Sequence, residues 1–187
     1  MAAEAVAGRI GIHDLGPLRT ESTVQVKAGR LHLVEDYTVG VSGKLRSPGV
    51  HWTGMAGPCL RSLHADPSLR SAVSALAGKA MFPTRAAYVH YEPGQHVGLH
   101  TDVPPCAFTL LVALTRDAGP LSVHPELADL SGEELLSVAR RSEGHPDGGL
   151  EVEIGDGVVI RGSMIPHHRA ACVRETTIMT LCFAPVL

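Results

Sequence analysis

Positive charge is not in surplus in this sequence: 16 Lys and Arg stand against 19 Asp and Glu, a net charge of -3 with histidine neutral. Nucleic acid and anionic membranes are both held by basic faces, so neither is an expected partner. Long apolar runs are missing too. No stretch reaches the roughly 18 consecutive apolar residues from which a membrane-crossing helix is read. Met1 to Gly8 has neither the basic start nor the apolar core of a secretory signal. Cysteine is sparse, and Cys59, Cys106, Cys172 and Cys182 form no C-x-x-C pair. That spacing argues against a zinc knuckle or a thioredoxin-like site. Disulfide frameworks belong to small secreted domains, whereas this chain is long enough to bury a core instead. The cysteines are therefore expected to be reduced thiols in a cytoplasmic protein.

What is present points to one folded domain. The chain has 187 residues, of which 44% are apolar, enough for a sizeable core. Its 20 glycines and 13 prolines favour many short strands over a helix bundle. Up to about residue 55 the pattern is strands and loops, with strands expected at Leu31 to Val34 and Tyr37 to Val41. Asp66-Pro67-Ser68 then opens a helix, with Asp as N-cap, Pro in the first turn and Leu69, Val73 and Leu76 at helical spacing. It ends near Gly78. Arg85 to Tyr91 reads as a strand, and Phe108 to Leu114 as a strand buried on both faces. Ser131-x-x-Glu134 is a capping box ahead of a second helix. Leu150 to Ile154 alternates as a half-buried strand, Gly155-Asp156-Gly157 is a tight turn, and Val158 to Arg161, Ile165 to Cys172 and Thr176 to Phe183 complete the strands. The expectation is a single domain, mainly β (α+β). Strands and a supporting helix occupy 1–80, and a closed or double-sheet jelly roll occupies 81–187.

Histidine carries the chemistry; there are 11. A histidine and a carboxylate two residues apart on a strand share a face and can serve one metal. The triplet alone is weak evidence, because this composition supplies about one by chance. Asp66 of His64/Asp66 is used as a helix cap, and His124/Glu126 and His145/Asp147 fall in proline-bearing loops. His100/Asp102 differs. It ends a β segment and precedes the buried strand at Phe108, where polar groups are costly unless paired. A third ligand is available downstream at His167 or His168, in an otherwise apolar stretch opened by Gly155-Asp156-Gly157. Two histidines and a carboxylate make the facial triad that leaves positions open on Fe(II).

From about Tyr88 to Pro185, half the chain, the sequence resembles the Fe(II)/2-oxoglutarate-dependent dioxygenases, in their prolyl-hydroxylase-like branch. The resemblance is carried by an ordered set: Tyr91-x-x-Gly94, His100-x-Asp102, Gly119-Pro-Leu, Gly155-Asp156, His167-His168-Arg169 and the closing run Thr177 to Pro185. It implies a double-stranded β-helix with supporting helices on one side. It also implies iron held by His100, Asp102 and one of His167 and His168. His167 is favoured because it follows Pro166 and shares a strand face with Arg169. One departure stands out. The family sets a basic residue about nine or ten positions after the distal histidine to bind the far carboxylate of 2-oxoglutarate, but Thr176 and Thr177 stand there. Arg169 and Arg174 are the nearest replacements, and Arg169 is preferred because a guanidinium on the His167 face can grip a carboxylate with two hydrogen bonds. Tyr91 is the candidate hydrogen-bond donor to 2-oxoglutarate.

The implied reaction is hydroxylation of an unactivated C–H, using O2 and 2-oxoglutarate and releasing succinate and CO2. Asp102 argues against halogenation, because the family's halogenases replace that carboxylate with a small residue. The substrate is expected to be a small molecule, an amino acid or a biosynthetic intermediate, with His90, His96, Trp52 and Arg85 as candidate pocket-wall residues. Two other readings remain: a cupin-type metal enzyme that does not use 2-oxoglutarate, and a metal-free jelly roll that only binds a ligand.

Overall fold

The structure is a computed structural model that describes residues 6–41, 43–115, 120–141 and 154–186. Twelve strands appear in chain order: β1 (Val6–Gly11), β2 (Arg30–Val34), β3 (Thr38–Val39), β4 (Leu45–Arg46), β5 (Gly49–Met55), β6 (Met81–Tyr91), β7 (His96–His100), β8 (Phe108–Ala113), β9 (Ser122–Val123), β10 (Asp156–Ile160), β11 (His167–Arg169) and β12 (Thr176–Pro185). The helices are α1 (Gly16–Lys27), α2 (Pro58–His64), α3 (Pro67–Ala77) and α4 (Gly132–Arg141). None of the described helices is long and apolar enough to cross a membrane.

Ten strands form one antiparallel sheet in the order β1-β10-β8-β12-β6-β5-β7-β11-β9, with β2 alongside β5. β5 is where the sheet divides. Its Trp52–Met55 half pairs with β6, while Gly49 and Val50 pair with β7. One strand thus joins a five-stranded group, β1-β10-β8-β12-β6, to the short group β7-β11-β9. A cavity of about 440 Å³ is lined by residues of both groups. This is the expected mainly β jelly roll.

Side-chain alternation explains why the larger group holds. Leu110 and Val112 of β8 join Tyr88, Met179, Leu181 and Phe183 in a core shared with Leu18, Leu60, Leu69 and Val73 of α1, α2 and α3. Their neighbours Leu111 and Ala113 point the other way, into a second core with Tyr91, Val158, Ile160 and Ile178. A strand covered on both faces must be apolar throughout, as the β8 sequence is. Three helices thus support one face of the large group. The fourth, α4, packs instead on the small β3–β4 sheet.

Local signals were reliable where a side chain bonds its own neighbourhood. Asp66 accepts from the backbone N–H of Ser68 at 2.7 Å and caps α3, and Ser131 and Glu134 exchange capping-box bonds before α4. The turn before β10 is confined to Gly155, whose φ of +76° suits glycine; Asp156 and Gly157 already belong to the strand. The strand expected over Ile165 to Cys172 is only His167–Arg169. Of Leu150 to Ile154, only Ile154 is described, in an isolated bridge to Ala113; the rest, with His145, Asp147 and Gly119, lies outside the described residues.

Two expectations are corrected. The stretch read as strands and loops contains α1, a helix that buries only Leu18 and Ser22. Its β-branched, polar sequence carries little helical signal, and tertiary contacts decide its conformation. Chief among these is Glu21. Its carboxylate accepts from the N–H groups of Cys59 (2.7 Å) and Leu60 (2.9 Å) at the start of α2 and from the Tyr88 hydroxyl (2.7 Å). The second correction concerns cysteine. Cys106 and Cys182 are joined in a disulfide, with Cα atoms 4.6 Å apart and a sequence separation of 76, while Cys59 and Cys172 are free. A link between a loop and the last strand leaves no local spacing pattern to read.

Replacing Glu21 by Ala removes three charge-assisted bonds and leaves their donors without an acceptor. Unfolding free energy in urea should fall by about 2–4 kcal/mol, and by less for Glu21→Gln, which keeps acceptor capacity.

Candidate metal centre

β7 and β11 run antiparallel with His100 directly opposite His167. Asp102 lies two residues past the end of β7, where its N–H donates to the carbonyl of Gly162 at 2.9 Å. This pairing draws the three residues into a cluster whose ligand atoms all lie within 4.8 Å of one another. Asp102 Oδ1 stands 3.9 Å from His100 Nε2 and 3.8 Å from His167 Nε2.

Each member is oriented by a second bond. His100 Nδ1 lies 2.8 Å from the carbonyl of Gly98, and His167 Nδ1 lies 2.9 Å from that of Ile165. A carbonyl only accepts, so each Nδ1 carries the proton and each Nε2 turns its lone pair into the cluster. Thr109 Oγ1 donates to Asp102 Oδ2 at 2.6 Å, which leaves Oδ1 facing the histidines. Burial and the adjacent His167 push the His100 pKa down to about 4, so its imidazole is neutral near pH 7. Two imidazoles and a carboxylate, each fixed by an outer hydrogen bond, suit a divalent transition metal and match the donor set of Fe(II).

The neighbouring residue settles which histidine faces the cavity. His168 points to the opposite side of β11 and stacks on His124, with ring planes 8° apart and a nitrogen–nitrogen distance of 3.0 Å. His124 in turn meets Glu126 at 3.1 Å. His64 contacts the Cys182 carbonyl at 2.9 Å and the ring of Phe183. These groups stand apart from the cluster.

Arg169, two residues after His167, enters the same cavity. It is only 2% exposed and lies over the Tyr91 ring, 5.7 Å from its centroid. Tyr91 also lines the cavity, and burial raises its pKa to about 12, which keeps the hydroxyl protonated. Arg174 is elsewhere: it is exposed and absent from the cavity wall. Thr176 and Thr177, at the positions where a basic residue was sought, are buried in β12.

The comparisons bear on this arrangement. No protein-family model matches the sequence, and no curated protein does either. Solved structures do match. A prolyl-4-hydroxylase from Pseudomonas putida covers 100% of this chain and 95% of its own, with a TM-score of 0.63 at 16% identity. HygX from Streptomyces hygroscopicus, solved with nickel, 2-oxoglutarate and hygromycin B, covers 100% and 86%, with a TM-score of 0.66 at 11% identity. A 2OG-Fe(II) oxygenase family protein from Burkholderia pseudomallei covers 90% and 79%, with a TM-score of 0.58 at 15% identity. The chain has the fold of the 2-oxoglutarate-dependent iron oxygenases.

Within that oxygenase fold, several neighbours of the cluster escaped sequence reasoning. Thr109 is one, although it is the single polar residue in the Phe108 to Leu114 run and so could have been noticed. Gly162 is another. A Cβ there would overlap Asp102 Oδ2 and come within 2.9 Å of Thr109 Oγ1. His32, Arg46 and His51 also line the cavity. Of the four expected wall residues only Arg85 does so. Trp52 and His90 line a separate pocket beside α1, and His96 lines neither.

Thr109→Val and Gly162→Ala should each weaken divalent-metal binding by roughly 10- to 100-fold. Competition titration against a chromogenic chelator measures this, and unchanged circular dichroism shows that the fold survives.

Proposed function

We propose that this protein is an Fe(II)/2-oxoglutarate-dependent dioxygenase that hydroxylates an unactivated C–H of a small molecule, such as an amino acid or biosynthetic intermediate. The observation that carries the reading is the convergence of His100, Asp102 and His167 in a cavity that also holds the buried guanidinium of Arg169. Bound iron, 2-oxoglutarate and O2 supply the oxidising chemistry, with succinate and CO2 as by-products.

The residues divide the work by position. His100, Asp102 and His167 hold the metal on one side and leave the cavity side open to ligands. Arg169 shares its strand face with His167 and lines the same cavity, so its planar fork would be the group that holds the far carboxylate of bound 2-oxoglutarate. It replaces the basic residue absent from positions 176 and 177. Tyr91 packs beneath the guanidinium, fixes its plane and keeps a protonated hydroxyl as a hydrogen-bond donor. The apolar walls, Val89, Leu111, Ile160 and Ile178 among them, exclude water from the reacting groups.

The test is an anaerobic titration of 2-oxoglutarate into the Fe(II)-loaded protein, followed in the visible spectrum. A weak metal-to-ligand charge-transfer band is expected. Asp102→Ala should lose the band together with the metal. Arg169→Lys keeps the charge but loses the fork, and should raise the 2-oxoglutarate dissociation constant about tenfold. Iron that stays bound with no band on adding 2-oxoglutarate would overturn the assignment in favour of a cupin-type enzyme.

A further inference from the structure

Two arginines in the cavity wall have no acidic partner among the described residues. Arg46 ends β4 and Arg85 lies in β6, so they approach from the small sheet and the main sheet respectively. Among the described residues neither makes an ion pair or a side-chain hydrogen bond. Both are exposed, which puts them at the cavity mouth. Both share that wall with His32, which stacks on His51 with ring centroids 4.6 Å apart; burial lowers the His32 pKa, and the charges of Arg46 and Arg85 add to the shift. The only acid among the described lining residues is Asp102, which faces the two histidine ligands.

The charges decide what this mouth is for. In the reading proposed above, Fe(II) and Arg169 are balanced by Asp102 and the 2-oxoglutarate dianion. The loaded cavity is then neutral before Arg46 and Arg85 are counted. Two guanidinium charges remain on the wall of one cavity, where fields are focused and like charges repel. An anion between them removes the repulsion and gains forked, charge-assisted hydrogen bonds.

We propose that Arg46 and Arg85 form the anchoring site for an anionic group, a phosphate or a carboxylate, of the small-molecule substrate. The anion is held at the mouth and the uncharged remainder of the molecule extends inward to the metal cluster. The position of the reacting carbon rests on the dioxygenase reading; the anion site itself does not.

A matched series of probes tests it. Phenyl phosphate, benzoate and benzyl alcohol carry a dianionic, a monoanionic and a neutral head on one ring. Each is titrated calorimetrically into the protein saturated with Ni(II) and 2-oxoglutarate. At least one anion should bind at least tenfold more tightly than benzyl alcohol, and the tighter of the two names the head group. The double variant Arg46→Gln/Arg85→Gln should lose at least tenfold in anion affinity and nothing in benzyl alcohol affinity, and each single variant should fall between. Equal binding of all three probes, anion binding untouched in the double variant, or no anion binding below about 10 mM overturns the proposal. The anaerobic 2-oxoglutarate band is recorded on the same proteins. A band without arginine-dependent anion binding sinks this inference alone. Arginine-dependent binding without a band sinks the dioxygenase reading and leaves the anion site standing.

Discussion

The site depends on one strand pairing. β7 and β11 meet with His100 opposite His167, and every other feature of the cluster follows from that register. Because side chains alternate along β11, Arg169 enters the cavity with His167 and His168 turns out to His124, even though the register against β7 shifts between His167 and Arg169. A slip of one residue would exchange the faces, putting His168 inside and His167 outside with Arg169. The pairing is short, and it is secured from both sides: β9 pairs with β11, and β5 pairs with β7. Asp102 is then set by the loop bond to Gly162 and by Thr109 on β8. The carboxylate therefore links the short strand group to the large one.

Charge distribution within the cavity follows the same division. In the interior a carboxylate lies between two imidazoles, and a guanidinium lies against an aromatic face. Among the described lining residues, the charges without an ion pair at the mouth are Arg46 and Arg85, both exposed. This ordering is what burial demands, since an unpaired ion in an apolar interior costs several kcal/mol, while one at the rim costs little.

The parts of the fold that could be read from the sequence are those set over short distances. Asp66 and Ser131 announce helices because each caps with a residue two or three positions on. The His100/Asp102 pair is legible because adjacent ligands on a strand need only the two-residue repeat. His167 is distinguishable from His168 by parity with Arg169. What could not be read depends on partners far along the chain. Glu21 fixes α1 through Cys59, Leu60 and Tyr88. Cys106 finds Cys182 only once β12 is in place. Arg46 and Arg85 meet at one cavity although the whole of β5, α2 and α3 lies between them.

The outer bonds of the two histidines have a further consequence. Each ring is tied to a carbonyl two residues earlier in its own segment of chain, Gly98 for His100 and Ile165 for His167. Ring orientation is thus set locally, and the cluster is two prefabricated halves that lack only each other. Joining them closes a long loop of chain, which costs conformational entropy. An ion bridging the halves would act as a cross-link over that loop, and its binding would be inseparable from the folding of β7 against β11. Occupancy and fold stability then become two views of a single equilibrium.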